Sequence, residues 1–324
     1  MTRRGKKKLE MEEKLRQLLW ILAVLTVFFL TGALMKSASV SEYPSAPDSG
    51  IEPSEAGADG YSLSPPDGET AASPGVEEPN PTYPTVADEV YAPPSGDKPI
   101  LAIVVDDGGN QMTLTKRVAS TGLPLTWAIL PYTRFASSTA KLADSKRIPY
   151  LLHLPMQAES DQNGSEQYII GRGMSAIKIS ETAAKALDSL PNAIGLNNHR
   201  GSLATSDSAI MEPVMAELKK RGGLMFLDSR TSTKSVAYDV ASAKGVPALR
   251  NRGFLDGSAD IGEIEKRFAE IIRLAAKRGN AVVICHFRPA TIVFLESLSG
   301  KKDSLPVRLV TIPEMLKLLN TKDH

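Results

Sequence analysis

The chain has 324 residues, 38 Lys and Arg against 37 Asp and Glu, a net charge of +1 and one cysteine. So even a charge balance excludes a general nucleic-acid binder, whose affinity comes from neutralising phosphates. The single Cys285 excludes an internal disulfide framework, so packing has to hold any exported domain together.

In chain order, the first segments cannot contribute a core. Residues 1–17 form a basic tail in which Arg3, Arg4, Lys6, Lys7 and Lys8 crowd the start. From Leu18 to Met35 runs LLWILAVLTVFFLTGALM, 18 uncharged residues, about the minimum that spans a hydrocarbon core as a helix. The reading is a transmembrane signal anchor over residues 18–36. Basic residues before it stay in the cytoplasm, which makes the chain a single-pass cytoplasmic (inner) membrane protein with its C-terminal domain in the periplasm or outside the cell. The alternative is a cleaved secretory signal ending at Ser37-Ala38-Ser39. That reading is less favoured, because the run exceeds the ~7 to 15 residues of a signal-peptide core. Either reading exports the remainder of the chain. Residues 37–97 are rich in Pro, Ser, Gly, Ala and acid with no Lys or Arg, a composition that predicts a disordered linker. As a flexible coil of about 60 residues it would span about 45 Å, enough reach to work at a distance from the bilayer.

Residues 98–324, about 225 in number, are long enough for one α/β barrel domain. Eight short apolar runs read as strands: Ile100–Val105, Leu123–Leu130, Tyr150–Leu154, Ala193–Asn198, Gly223–Asp228, Pro247–Asn251, Ala281–Phe287 and Val307–Ile312. Helical spacing lies between most of them, as in Ile210–Lys220 and in Ile264–Lys277, which runs into Gly279 as a stop. Strand and helix in alternation predict parallel strands joined by crossovers. The fold expected is a distorted (β/α) barrel of seven to eight parallel strands. An open doubly wound sheet comes second, since no Gly-rich phosphate loop follows the first run.

In such folds the site gathers where the strands end. Three of the four histidines, His153, His199 and His286, fall at strand ends; the fourth is the terminal His324. Asp106 and Asp107 follow the first run and precede two glycines, so both carboxylates can turn towards a pocket. One could bind a divalent metal while the other takes a proton from water; the plain alternative is a turn cap and an ion pair. His153 and His199 are candidate imidazole ligands completing an Asp/His/His set that suits zinc or a similar divalent metal, although single strand histidines are commonly core residues. His286 is a candidate general acid or a further ligand. Asn197 and Asn198 are candidates for orienting a ligand or for turn chemistry, and Asp228 for tuning a histidine or binding metal. Arg252, Arg230 and Arg288 are candidate contacts to an anionic or polyhydroxyl substrate, against the plain reading of solvated surface. Tyr132 and Trp127 are candidate sugar-stacking surfaces, with core favoured for Trp127. Cys285 should face the helices and pack.

The ordered set VVDDGG, LLHLPM, GLNNHRGS, FLDSRT and ICHFRP resembles the divergent polysaccharide deacetylase family, a distant branch of the NodB-like carbohydrate esterases, from Pro99 to about Leu319. The resemblance implies a distorted (β/α) barrel and metal-dependent removal of acetyl groups from N-acetylated sugars of a cell-wall or surface polysaccharide. It makes Asp106 the catalytic base, Asp107 the metal-binding acid and His286 the acid that protonates the leaving amine. Two departures stand out. Active NodB-like enzymes carry their metal histidines in one His-x-x-x-His or His-x-x-x-x-His run, which this chain lacks, so His153 and His199 have to come from separate strands. Arg200 stands where the divergent family usually has an apolar residue. The alternative function is a catalytically silent barrel that binds glycan or a protein of the envelope machinery.

Overall fold

A computed structural model describes residues 97–320. The expected basic tail, membrane span and most of the linker lie outside the described residues, as does His324. Among the described residues no helix is long and apolar enough to cross a membrane.

The described chain alternates strand and helix: β1 (Ile100–Gly108), α1 (Met112–Ser120), β2 (Leu125–Ile129), α2 (Ala136–Lys146), β3 (Tyr150–Met156), α3 (Ala176–Asp188), β4 (Gly195–Arg200), α4 (Ser208–Arg221), β5 (Met225–Asp228), α5 (Ala237–Ala243), β6 (Ala248–Arg250), α6 (Ile261–Arg278), β7 (Asn280–His286), α7 (Pro289–Ser299), β8 (Arg308–Val310) and α8 (Ile312–Asn320). Each of the eight expected runs holds a strand, but with shifted ends: of Val307–Ile312 only Arg308–Val310 is strand, and Ile312 already opens α8. Both quoted helical stretches lie inside helices, and α6 is bounded by Asp260, whose carboxylate accepts from Glu263 N at 2.9 Å, and by left-handed Gly279.

The sheet runs β6-β5-β4-β3-β2-β1-β7, and every pairing is parallel. β8 takes the first three residues of β1, Ile100 to Ala102, on the edge that β2 joins from Ile103 onwards. Past β6 the chain bonds to β7: Arg252 N–H donates to Val282 O at 2.8 Å, Ile284 N–H to Gly253 O at 3.1 Å and Leu255 N–H to Ile284 O at 2.9 Å. These irregular bonds join the two ends of the curled sheet, which gives the distorted barrel.

Period-2 alternation sorts each strand into two faces. Ile100, Ala102 and Val104 of β1, Val282 and Ile284 of β7, and Met225 and Leu227 of β5 form an inner cluster. Ile312 and Met315 of α8 join it, and Ile312 N–H donates to Thr126 Oγ1 at 3.0 Å, so the C-terminal helix fills the barrel interior. Leu101, Ile103, Val105 and Cys285 face the other way, into the larger layer beneath the helices. Cys285 is buried there with its Sγ 3.6 Å from Val104 O, and burial pushes its thiol pKa well up, as befits a packing residue. Trp127 is likewise in this layer, edge-on to Phe287 with centroids 5.5 Å apart, and is therefore no sugar platform.

Gly195 opens β4 where a Cβ would overlap the backbone of Met225. Gly195→Ala is expected to lower stability by roughly 1–3 kcal/mol or more, the cost of overpacking a rigid backbone contact. Denaturant unfolding of the variant checks it; an unchanged midpoint would show that β4 and β5 can separate without loss.

Candidate metal centre and acid–base site

The inward positions of the barrel turn polar at the strand ends. After Ile100, Ala102 and Val104 comes Asp106, and after Val282 and Ile284 comes His286, its register partner on β7. The sequence reading ends the first strand at Val105, whereas β1 continues to Gly108 because Phe287 N–H still donates to Asp106 O at 3.0 Å and Leu130 N–H to Gly108 O at 2.9 Å. The register with β2 slips between Val105 and Gly108, and Asp107 sits at φ 65°. This bulge breaks the alternation and brings the Asp107 carboxylate beside that of Asp106. Gly108 and Gly109 make it possible: a Cβ on Gly108 would press on Ala128 O and Phe287, and Gly109 has φ 104°.

β3 and β4 supply the histidines. Asp107 Oδ1 lies 3.3 Å from His153 Nε2 and 3.1 Å from His199 Nδ1, and the two imidazole nitrogens are 3.1 Å apart. Among the described residues these three are the one group of His, Cys, Asp or Glu side chains arranged to hold a metal ion. Ligand atoms on a tetrahedral zinc, at bonds of about 2.0 Å, stand about 3.3 Å apart, so the triangle fits a cation. Asp107 Oδ1 is buried without a hydrogen-bond partner of its own. Leaving such an oxygen unsatisfied costs about 1–3 kcal/mol, and more when charged, so the chemistry of the site favours an ion there.

Asn197 orients this cluster. Its Oδ1 accepts from His153 Nδ1 at 2.9 Å, and its Nδ2 donates to both oxygens of Asp106, at 3.0 and 3.2 Å, and to Ser229 Oγ at 3.2 Å. With Nδ1 committed, His153 presents Nε2 to the triangle. Asn198 points to the other side of β4, where it accepts from Ser229 N at 2.9 Å and donates to Arg200 O at 2.7 Å. Of the asparagine pair, then, Asn197 serves the cluster and Asn198 the turns beside it.

Charge follows geometry. Burial raises the Asp106 carboxyl above the usual range. For Asp107 burial is outweighed by the two imidazoles beside it, His153 and His199, which hold its carboxyl well below that range. Burial disfavours the His153 imidazolium, yet Asp106 and Asp107 outweigh it and raise its pKa. In His199 burial prevails and the pKa falls. The site thus favours charge on Asp107 and His153 and disfavours it on Asp106 and His199.

The sequence reading does not reach Asp256. This residue is 2 % exposed; its Oδ1 holds His286 Nδ1 at 2.8 Å, and its Oδ2 accepts from His286 N at 2.8 Å and Thr291 Oγ1 at 2.6 Å. Phe254 stacks on the His286 ring at 5.9 Å. A signal was present: Phe254-Leu255-Asp256-Gly257 repeats the apolar-then-Asp-Gly pattern of Val105 to Gly108. Asp228 stands apart, on the outward face of β5, accepting from Arg230 N at 2.8 Å and Ser235 Oγ at 2.8 Å. Arg288 Nη1 donates to Asp256 O at 3.0 Å, and Arg252 contributes its main chain to barrel closure. Tyr132 is exposed in the loop after β2.

A family model described as divergent polysaccharide deacetylase matches residues 103–316, a span that holds every one of these side chains. The chain belongs to the divergent polysaccharide deacetylase family. An uncharacterized protein of Haemophilus influenzae is 36% identical to it over 197 residues, 61% of this chain and 70% of that protein. The YibQ protein of Escherichia coli K12 is 34% identical over 198 residues, 61% of this chain and 61% of YibQ, so the match spans less than two thirds of YibQ. Among solved structures, an uncharacterized protein of Agrobacterium tumefaciens C58 has a TM-score of 0.63 at 20% identity, covering 70% of this chain and 92% of that one, a likeness of fold. Membership in the deacetylase family leaves the chemistry to be argued from the Asp107, His153 and His199 triangle and its neighbours.

Proposed function

We propose that this family member is a metal-dependent hydrolase that removes acetyl groups from N-acetylated sugars of a cell-wall or surface polysaccharide, working outside the cytoplasm from a membrane tether. The observation that carries the reading is the orphaned Asp107 Oδ1 facing two imidazole nitrogens, with the buried Asp106 carboxylate next to it on β1 and the carboxylate-bound His286 on neighbouring β7. Asp107, His153 and His199 would hold the ion. A divalent metal bound there, zinc by its ligand set, supplies Lewis acidity towards the amide carbonyl and acidifies water.

The chain's own residues do the rest. Asp106, kept in place by Asn197, accepts the proton of the attacking water. His286, its Nδ1 taken by Asp256, has Nε2 to give a proton to the departing amine nitrogen. Water adds to the acetyl carbon, the C–N bond breaks, and the products are acetate and a free amino sugar. The tether and export rest on the apolar run at Leu18 to Met35.

Elemental analysis of the full-length protein, with an assay for acetate released from acetylated wall glycan, tests the reading. Stoichiometric metal with acetate release supports it. Metal without acetate, at any pH, favours a glycan-binding barrel, and no metal after reconstitution ends the mechanism.

The acid–base pair makes a pH prediction. Burial disfavours the His286 imidazolium, but the Asp256 hydrogen bond and charge outweigh this and raise its pKa. The protonated acid therefore persists until pH rises through that raised value. Asp256→Asn is expected to move the alkaline limb of kcat/KM to lower pH. The linkage has the same sign: with the folded pKa above the unfolded one, the pair stabilises fully below the unfolded pKa, and that contribution fades as pH rises through the folded one. An unmoved alkaline limb in Asp256→Asn would remove His286 from the acid role.

A further inference from the structure

We propose that Arg200 is a positioning residue: by its ion pair with Asp161 it braces the ends of β3 and β4 and so sets the spacing of His153 and His199. The inference rests on the reading of those histidines and Asp107 as a cation site. A ligand pair on one continuous run has its spacing set by local backbone. Here the two imidazoles ride on different strands, so their separation is only as rigid as the β3–β4 junction.

That junction is exposed to fraying at the place that matters. Pairing of β4 with β5 stops at Asn197, opposite Leu227. Pairing with β3 continues through His199 to Arg200, opposite Pro155 and Met156. From Asn198 on, β4 therefore has a strand on one edge only. Side chains replace the missing ladder. The Arg200 carbonyl accepts from Asn198 Nδ2 at 2.7 Å and Thr231 Oγ1 at 2.8 Å, which fastens it to the loop after β5.

The guanidinium works in the other direction. Arg200 Nη2 lies 2.6 Å from Asp161 Oδ1 and 3.3 Å from Ser160 Oγ, and Nη1 donates to Gln167 Oε1. All three partners are in the loop that follows β3, the strand of His153. Asp161 is a firm anchor: its side chain is 2 % exposed and its Oδ2 accepts from Ala158 N at 2.8 Å. The backbone of Arg200 is left-handed at φ 55°, a conformation unusual for a non-glycine residue that persists only where its surroundings over-determine it. Gly201 follows at φ 83°, where a Cβ would meet Met156 at 2.9 Å, so the turn out of β4 lies tight against the end of β3. One residue thus joins three strand-end loops immediately beside His199.

The test measures zinc affinity of the full-length chain by competition with a chromophoric chelator, together with the absorption spectrum of the cobalt(II) form. Arg200→Ala and Asp161→Asn should each weaken zinc binding about 10-fold, the lower end of the loss seen when a metal ligand loses its own hydrogen-bond partner, because the brace acts on the strand ends and not on a ligand atom. They should also shift the cobalt bands. The double variant should lose little beyond either single one, and Arg200→Lys should recover part of the affinity. Should Arg200→Ala fail to fold, Asp161→Asn and Arg200→Lys carry the comparison. Wild-type affinity and spectrum in folded variants overturn the brace alone, whereas a wild-type protein that takes up no zinc overturns the cation site itself and the brace with it.

Discussion

Asp107→Asn is expected to cut zinc affinity by more than about 100-fold while leaving the barrel folded, a larger loss than the ~10–100-fold typical of an outer partner. The reason is that Asp107 contributes the one carboxylate of the three-residue triangle, and its Oδ1 stands 3.1 and 3.3 Å from the two imidazole nitrogens. Asparagine keeps the side chain's shape and tolerates the left-handed φ of 65° that the bulge imposes, so the substitution isolates charge from conformation. With the charge gone, His153 also loses one of the two carboxylates that raise its pKa. Isothermal titration with zinc, beside an unfolding curve, checks both halves. Undiminished zinc binding in this variant would mean that the triangle holds no metal.

Asp106→Asn should do the reverse: keep the zinc and lose turnover by about 10²–10⁴-fold, the range a positioned base contributes. Asp106 is outside the triangle, its Oδ2 3.6 Å from His153 Nε2, and its firmest contacts are the two from Asn197 Nδ2. An asparagine can retain one of those through its carbonyl oxygen, so the cluster should keep its shape. Metal content and kcat for acetate release separate the roles. Loss of zinc here would make Asp106 a ligand; full activity would remove it from proton transfer. Taken together the two variants split the adjacent acids, which neighbouring sequence positions alone leave interchangeable.

Much of the architecture is legible without coordinates. Eight apolar runs separated by helical spacing imply parallel strands, and parallel strands carry their working residues at their ends, so the gathering of Asp106, Asp107, His153, His199 and His286 follows from position along the chain. Strand parity also settles Cys285 and Trp127, which pack beneath the helices. Other assignments have no such local signature. Asn197 and Asn198 look alike in sequence, and only the pleat decides which one meets His153. Asp228 ends its strand as Asp106 nearly ends β1, yet its parity turns it outward to Ser235.

Period-2 and 3.6-residue patterns, being local, determined the strands, the helices and the barrel class from sequence by itself. Tertiary structure alone decided the bulge that turns Asp107 into the site, the pairing of Asp256 with His286, the join of the segment after β6 to β7, and the reach of Arg200 to Asp161. Each of these depends on the register between chain segments that are distant in sequence or on a break in alternation, and a residue's own neighbours carry no trace of which distant partner the closed barrel will bring to it.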